Sequence, residues 1–207
     1  MTCRASKNKS RPLRALVTGV SKGLGQHICM ELLAKDYDVV GISRTCPNHY
    51  FDIESLDSFS SELCDLTNPQ SVQSSLDRIL AKGGIDVLIN NAGILHVEGF
   101  LEQTYNSWSN TFALNVEAPM LIAQRVLPAM LKNKFGRIIN IGSSSAYNGG
   151  RETSAYCASK HALLGLSRSL HDEFKGRGVY TTFVAPASMK TPMGHVELPK
   201  PQDYETF

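Results

Sequence analysis

The chain predicts an α/β fold: a doubly wound parallel sheet covered by helices on both faces, in three layers. Short apolar runs alternate with amphipathic stretches along its length, and strand–helix alternation builds a parallel sheet. The first apolar run passes straight into a glycine turn and then a helix. The polar residues with chemistry to offer stand just after the apolar runs, where ligands meet an open α/β sheet.

A chain of 207 residues is long enough for one full core and short for two, and 42% hydrophobic with 19% charged residues is the composition of an ordinary globular domain. Net charge is +2, so no field over the whole molecule argues for nucleic acid or a membrane surface. Arg4, Lys7, Lys9, Arg11 and Arg14 stand among Ser and Asn, which predicts a disordered basic tail over 1–14 ahead of a single domain over 15–207. The 5 cysteines (Cys3, Cys29, Cys46, Cys64, Cys157) form no C-x-x-C pair, as fits reduced thiols in the cytoplasm. No apolar run reaches the ~18 residues of a spanning helix, and no signal peptide is expected.

The first strand starts at Ala15 and enters Thr18-Gly19-Val20-Ser21-Lys22-Gly23-Leu24-Gly25, ahead of a helix over Leu24–Lys35. Glycine lets backbone approach a ligand, and the helix N-terminus offers unpaired N–H groups to a phosphate. The second strand, Asp38–Ile42, ends in Ser43-Arg44. An acid at that end would suit the ribose hydroxyls of NAD; here Arg44, with Lys22 in the glycine turn, suits a 2′-phosphate, so the expected cofactor is NADP(H).

Residues Thr45–Ser61 read as an irregular polar loop, followed by a short strand Glu62–Cys64 and Asp65-Leu66-Thr67. Asn68-Pro69 opens a helix, with a cap and a proline at its first position, that runs to about Ala81 and stops at Gly83-Gly84. Ile85–Ile89 is a strand buried on both faces, ending in Asn90-Asn91-Ala92-Gly93. From about Leu101 to Lys132 two helices are expected, divided near Ala113–Asn115; Pro119 fits an opening turn, whereas Pro128 predicts a kink or break. Asn115, polar among apolar neighbours, reads as a satisfied cap or helix-break amide.

Arg137–Ile141 is the fifth strand, followed by Gly142-Ser143-Ser144-Ser145, and Val179–Val184 is the sixth, running into Ala185-Pro186. Between them Thr153–Lys175 has helical spacing and carries Tyr156 and Lys160. Four residues apart, the two side chains share a helix face, and a nearby ammonium favours the phenolate. Leu95, His96, Tyr147 and Asn148 are candidates to line a mixed pocket or to be plain scaffold.

In their order and spacing these motifs resemble the short-chain dehydrogenase/reductase family: the Thr18–Gly25 turn, Asp65, Asn90-Asn91-Ala92-Gly93, Asn115, a Ser thirteen positions ahead of Tyr156, and Tyr156 with Lys160. The resemblance spans roughly Ala15–Met193 and implies a Rossmann-type domain with NADP(H). By position it implies that Tyr156 gives a proton to the substrate carbonyl and Lys160 lowers the Tyr pKa and bonds the ribose. Ser143 would stabilise the oxyanion, and Asn115 would hold a relay water. Gly19, Ser21, Gly23, Ser43, Asp65, Leu66, Asn91, Ala92, Gly93, Pro186 and Thr191 would complete the cofactor site with Thr18, Lys22, Leu24, Gly25 and Arg44. Ser143 is preferred by spacing over Ser144 and Ser145.

The chain departs from the family pattern in carrying Ala187 after Pro186 and in stopping at Phe207, ahead of the usual last helix and seventh strand. The resemblance implies an NADPH-dependent carbonyl reductase akin to 3-oxoacyl carrier-protein reductases, acting on a small-molecule carbonyl or alcohol as a homodimer or homotetramer. The shortened end motivates an alternative, a catalytically weak NADP-binding protein that reports cofactor state to a partner.

Overall fold

A computed structural model describes residues 11–45 and 57–187. Six strands form one sheet in the order β3-β2-β1-β4-β5-β6, and every neighbouring pair is parallel. They are β1 (Arg14–Thr18), β2 (Asp38–Ser43), β3 (Phe59–Leu63), β4 (Val87–Asn90), β5 (Gly136–Ile141) and β6 (Val179–Val184). The helices are α1 (Leu24–Leu33), α2 (Pro69–Ala81), α3 (Tyr105–Phe112), α4 (Ala118–Lys132) and α5 (Ser154–Phe174).

Alternation along the strands sorts the core into two layers. Leu16, Val40, Ile42, Leu88 and Ile138 face one way, onto Val72 and Leu76 of α2, Ile122 and Val126 of α4 and Phe174 of α5. Ala15, Val17, Val39, Val87 and Ile89 face the other way, onto Cys29, Ile28 and Leu32 of α1. The predicted three-layer arrangement is the one observed. Among the described residues the sheet has no seventh strand, and β6 is an edge.

Local signals explain most boundaries. Asn68 caps α2, its side chain accepting from Ser71 N at 3.0 Å, with Pro69 in the first turn. Thr104 caps α3, accepting from Ser107 N at 3.1 Å, so the helix starts at Tyr105 and not near Leu101. The expected division near Asn115 is a π-helical segment, Ala113–Glu117, that leads into α4 without a gap.

Three expectations are corrected. β3 begins at Phe59, with Val39 opposite Phe59 and Ser43 opposite Leu63; its polar sequence lacks alternation because it is an edge strand held by backbone pairing. Of the kink or break expected at Pro128, the break does not occur: α4 runs through it. The carbonyl that loses its donor belongs to Gln124, on the exposed face with Pro128, while Val126, Leu127 and Met130 pack the other side.

The third correction concerns the tail: Arg14 opens β1, and Arg11 is tied to the sheet. Asp86, buried ahead of β4, accepts from Arg14 N at 2.8 Å and from both Arg11 terminal nitrogens at 2.7 and 2.8 Å. The Arg14 guanidinium pairs with Asp38 at 3.0 Å and donates to the carbonyls of Ile79 and Gly83 at 3.0 and 2.6 Å. Charges buried this deeply need every partner. Residues 1–10 lie outside the described residues.

Asp86→Ala is expected to lower unfolding free energy by roughly 2–3 kcal/mol, because it strips a charged acceptor from a buried backbone N–H. Arg11→Ala should cost less, about 1 kcal/mol, since that side chain is 57% exposed and its removal opens the Asp86 carboxylate to water while the Arg14 N–H bond stays. Urea unfolding of the two variants checks the order; equal costs would contradict it.

Candidate active site and cofactor crevice

The glycine turn between β1 and α1 is built for close approach. Gly19 and Gly23 have φ of 74° and 64°, left-handed values that favour glycine. A Cβ on Gly19 would lie 2.9 Å from the Ala92 Cα, and one on Gly25 would overlap the Gly19 carbonyl oxygen. Gly23 caps α1 without a side-chain hydrogen bond and no acid stands in its first turn, so the helix presents its N–H groups and dipole to an anion. Ser21 is half-buried, Lys22 exposed and Leu24 half-buried beside it.

Thr18 and Asn91 hold this turn against the loop after β4. The Thr18 hydroxyl oxygen accepts from the N–H groups of Asn91 and Ala92, both at 3.0 Å. Asn91 Nδ2 donates to the carbonyls of Thr18 at 2.8 Å and Gly19 at 3.2 Å. Their polar side chains are thus engaged in shaping the crevice.

At the end of β2, Ser43 is buried and donates to the Thr45 carbonyl at 2.6 Å, while Arg44 is exposed beside it. Asp65 accepts from the Thr67 N–H at 3.0 Å and hydroxyl at 2.7 Å. These bonds hold its carboxyl below the usual range, with burial opposing and the Arg44 charge adding to them. Leu66 buries its side chain in the core, so only its backbone is left for a ligand.

Asn115, Ser143, Tyr156 and Lys160 converge at the carboxyl ends of β4 and β5. Asn115 is 1% exposed in the π segment, a local widening that often marks functional sites. Its Oδ1 accepts from Ile94 N at 2.9 Å, and its Nδ2 donates to Ile94 O and to Ser159 Oγ, both at 3.0 Å. The reading of Asn115 as a satisfied helix-break amide therefore describes its bonding. A Cβ on Gly93 would lie 3.3 Å from Asn115 Oδ1 and 3.6 Å from Lys160 Nζ, so these two groups flank the same bare glycine.

Of the three serines, Ser143 is the one whose hydroxyl favours the Tyr156 phenolate, against the burial of the ring. Its oxygen also accepts from Ser145 N at 3.1 Å, and the Pro186 carbonyl accepts from Ser144 N at 3.2 Å. Lys160 Nζ donates to the Ile141 carbonyl at 2.9 Å and lies 5.5 Å from the Tyr156 ring centroid. Burial pushes the ammonium down to about 8 and pushes the Tyr156 phenol above its ordinary value, with the Ser143 hydrogen bond pulling the phenol back. The lowering expected from Lys160 is corrected: burial leaves the phenol above its ordinary value, and Ser143 offsets only part of that rise. Leu95 and His96 are half-buried, Tyr147 and Asn148 exposed, and Thr191 lies outside the described residues.

Ser159 was not among the expected residues. It is buried and donates to the Tyr156 carbonyl at 2.7 Å while accepting from Asn115. A second buried relay runs from Asn90 Nδ2 to Asn140 Oδ1 and from Asn140 Nδ2 to Ser167 Oγ, both 2.8 Å. The available signal was polar residues at core positions of an amphipathic helix. Among the described residues no group of three or more His, Cys, Asp or Glu side chains could hold a metal ion, and no helix is long and apolar enough to cross a membrane.

This geometry can bind a dinucleotide at the turn and exchange a proton at Tyr156. The family model for short chain dehydrogenases matches residues 14–202. The chain belongs to this family. It is 34% identical over 182 residues to a 3-oxoacyl-[acyl-carrier-protein] reductase FabG of Salmonella typhimurium, covering 86% of this chain and 74% of the relative. A metagenomic short-chain oxidoreductase solved in complex with NADP superposes with a TM-score of 0.79 at 30% identity, covering 87% of this chain and 86% of that one. A 4-hydroxyisoleucine dehydrogenase complexed with NADH gives 0.82 at 27% identity, covering 88% and 76%. The family assignment makes the chain an oxidoreductase-type fold with a nicotinamide dinucleotide crevice.

The lysine makes a pH prediction. Its pKa is lowered on folding, so its contribution to stability is complete above 10.5 and lost as pH falls towards about 8. Relative to Lys160→Met, the wild-type protein should gain stability as pH rises from about 8 to 10. Above 10, the raised Tyr156 phenol acts with the opposite sign. Urea midpoints across this range check it; a flat difference would contradict a buried ammonium.

Proposed function

We propose that the protein is an NADP(H)-dependent oxidoreductase that interconverts a carbonyl and a secondary alcohol, the substrate being a 3-oxoacyl thioester or another small ketone. The carrying observation is Tyr156 and Lys160 buried together on one face of α5, the ammonium nitrogen 5.5 Å from the Tyr156 ring centroid, with the Ser143 hydroxyl favouring the phenolate. When bound, the reduced nicotinamide supplies the hydride to the carbonyl carbon. Tyr156 gives its proton to the carbonyl oxygen as charge develops there, and Ser143 donates a hydrogen bond to the same oxygen. Lys160 then returns a proton to the phenolate. Asn115, which flanks Gly93 together with Lys160, would hold a water that refills the lysine. The resemblance additionally has Lys160 bond the ribose, and Thr191 and the backbone near Pro186 meet the nicotinamide.

The NADP(H) preference rests on the exposed Arg44 after a strand that ends without an acid, and on Lys22 in the turn. The resemblance extends the proposal to a homodimer or homotetramer, and the reduced, buried Cys29, Cys64 and Cys157 support a cytoplasmic setting.

Tyr156→Phe should lower kcat/KM for ketone reduction by roughly 10²–10⁴-fold with NADPH affinity unchanged; turnover near wild type would defeat the assignment. Arg44→Asp should weaken NADPH binding by roughly 10–100-fold, as lost charge-assisted hydrogen bonds imply, and leave NADH binding unweakened or tighter, because the new acid suits the free ribose hydroxyls. Titration followed by cofactor fluorescence measures both, and parallel losses for the two cofactors would remove the case for a phosphate site.

A further inference from the structure

Ser143 stands on a turn, between the end of β5 at Ile141 and a single 3-10 turn at Ser144–Ala146. What holds it is the end of β6. Gly142 N donates to Val184 O at 2.7 Å and Ser144 N to Pro186 O at 3.2 Å, bracketing the serine on both sides. From the same stretch Phe183 lays its ring over Gly142, so closely that a Cβ added to the glycine would overlap ring atoms Cζ, Cε1 and Cε2. Tyr147, just past the 3-10 turn, meets that ring edge-on, with centroids 6.4 Å apart and planes at 87°, a favourable aromatic arrangement. The ring thus takes the space of the side chain that Gly142 lacks, and residues 142 and 183 are matched in volume.

We propose that Phe183 is a positioning residue for Ser143: its ring, seated on Gly142 and braced by Tyr147, fixes the turn so that the serine hydroxyl meets the Tyr156 phenol. This rests on the reading of Ser143 and Tyr156 as the reacting pair. Truncating the ring leaves the two backbone bonds but removes the contact that sets the height of the turn. A displacement near an ångström is enough to cost about a hundredfold in rate.

A purely structural ring would change stability without moving the chemistry of Tyr156, so the deciding readout is the phenol itself. The full chain carrying tyrosine labelled with ¹³C at Cζ is titrated by NMR, with Tyr156 assigned through Tyr156→Phe. Because the Ser143 bond pulls the phenol down and burial pushes it up, Phe183→Ala should make Tyr156 titrate at higher pH, matching Ser143→Ala. Phe183→Leu should fall between Phe183→Ala and wild type. In ketone reduction Phe183→Ala should lose about tenfold to a hundredfold in kcat with NADPH affinity unchanged.

Gly142→Ala pushes on the ring from the other side and should shift the titration the same way, less so when combined with Phe183→Ala. A folded Phe183→Ala protein whose Tyr156 titrates as in wild type overturns the proposal. If that variant does not fold, an unshifted Tyr156 in Gly142→Ala overturns it equally. Absence of ketone reduction by the wild-type protein would count against the proposed function, while the titration would still decide the role of Phe183.

Discussion

The site depends on one buried amide. Asn115 joins three segments that are distant in sequence: its side chain closes a two-way hydrogen-bonded clasp on the Ile94 backbone and donates to Ser159, whose own proton goes to the Tyr156 carbonyl. The loop after β4, the π segment and the first turns of α5 are thereby set relative to one another. Because the amide is buried, any slip would leave polar groups without partners, at a cost of about 1–3 kcal/mol each. The π segment makes the clasp possible, since the extra residue turns Asn115 inward between two helical stretches that otherwise run on.

Around that joint the chain keeps two groups that burial destabilises in their charged forms. Lys160 is 4% exposed and its ammonium donates to the Ile141 carbonyl, while Tyr156 is buried beside it. Desolvation drives their titrations apart, the lysine down to about 8 and the tyrosine above its ordinary value, so a proton passes downhill from the ammonium to a phenolate. The serine hydrogen bond then has a definite task, favouring the phenolate where a lysine partly neutral near pH 8 does so only weakly.

Much of this was legible in the chain because the signals are local. The glycine turn, the Asn68-Pro69 start of α2 and the bounds of β6 follow from residues that act on their own backbone. Tyr156 and Lys160 could be placed on one face because a helix fixes the geometry of four-residue spacing. What escaped depends on distant partners. β3 is polar because an edge strand needs only backbone pairing with β2. Arg11 and Arg14 resemble a tail until Asp86, more than seventy positions later, closes on them. Ser159 looks like an ordinary small helix residue until Asn115 arrives from another segment, and the match of Phe183 to Gly142 exists only across two strands.

The most direct test of the account is whether the wild-type chain oxidises NADPH at the expense of a ketone. The absorbance of the reduced nicotinamide should be followed with a panel that includes 3-oxoacyl thioesters and small ketones, with the alcohol product quantified alongside. The account predicts loss of NADPH matched one for one by alcohol for at least one ketone. Tight NADPH binding with no oxidation by any member of the panel would contradict it.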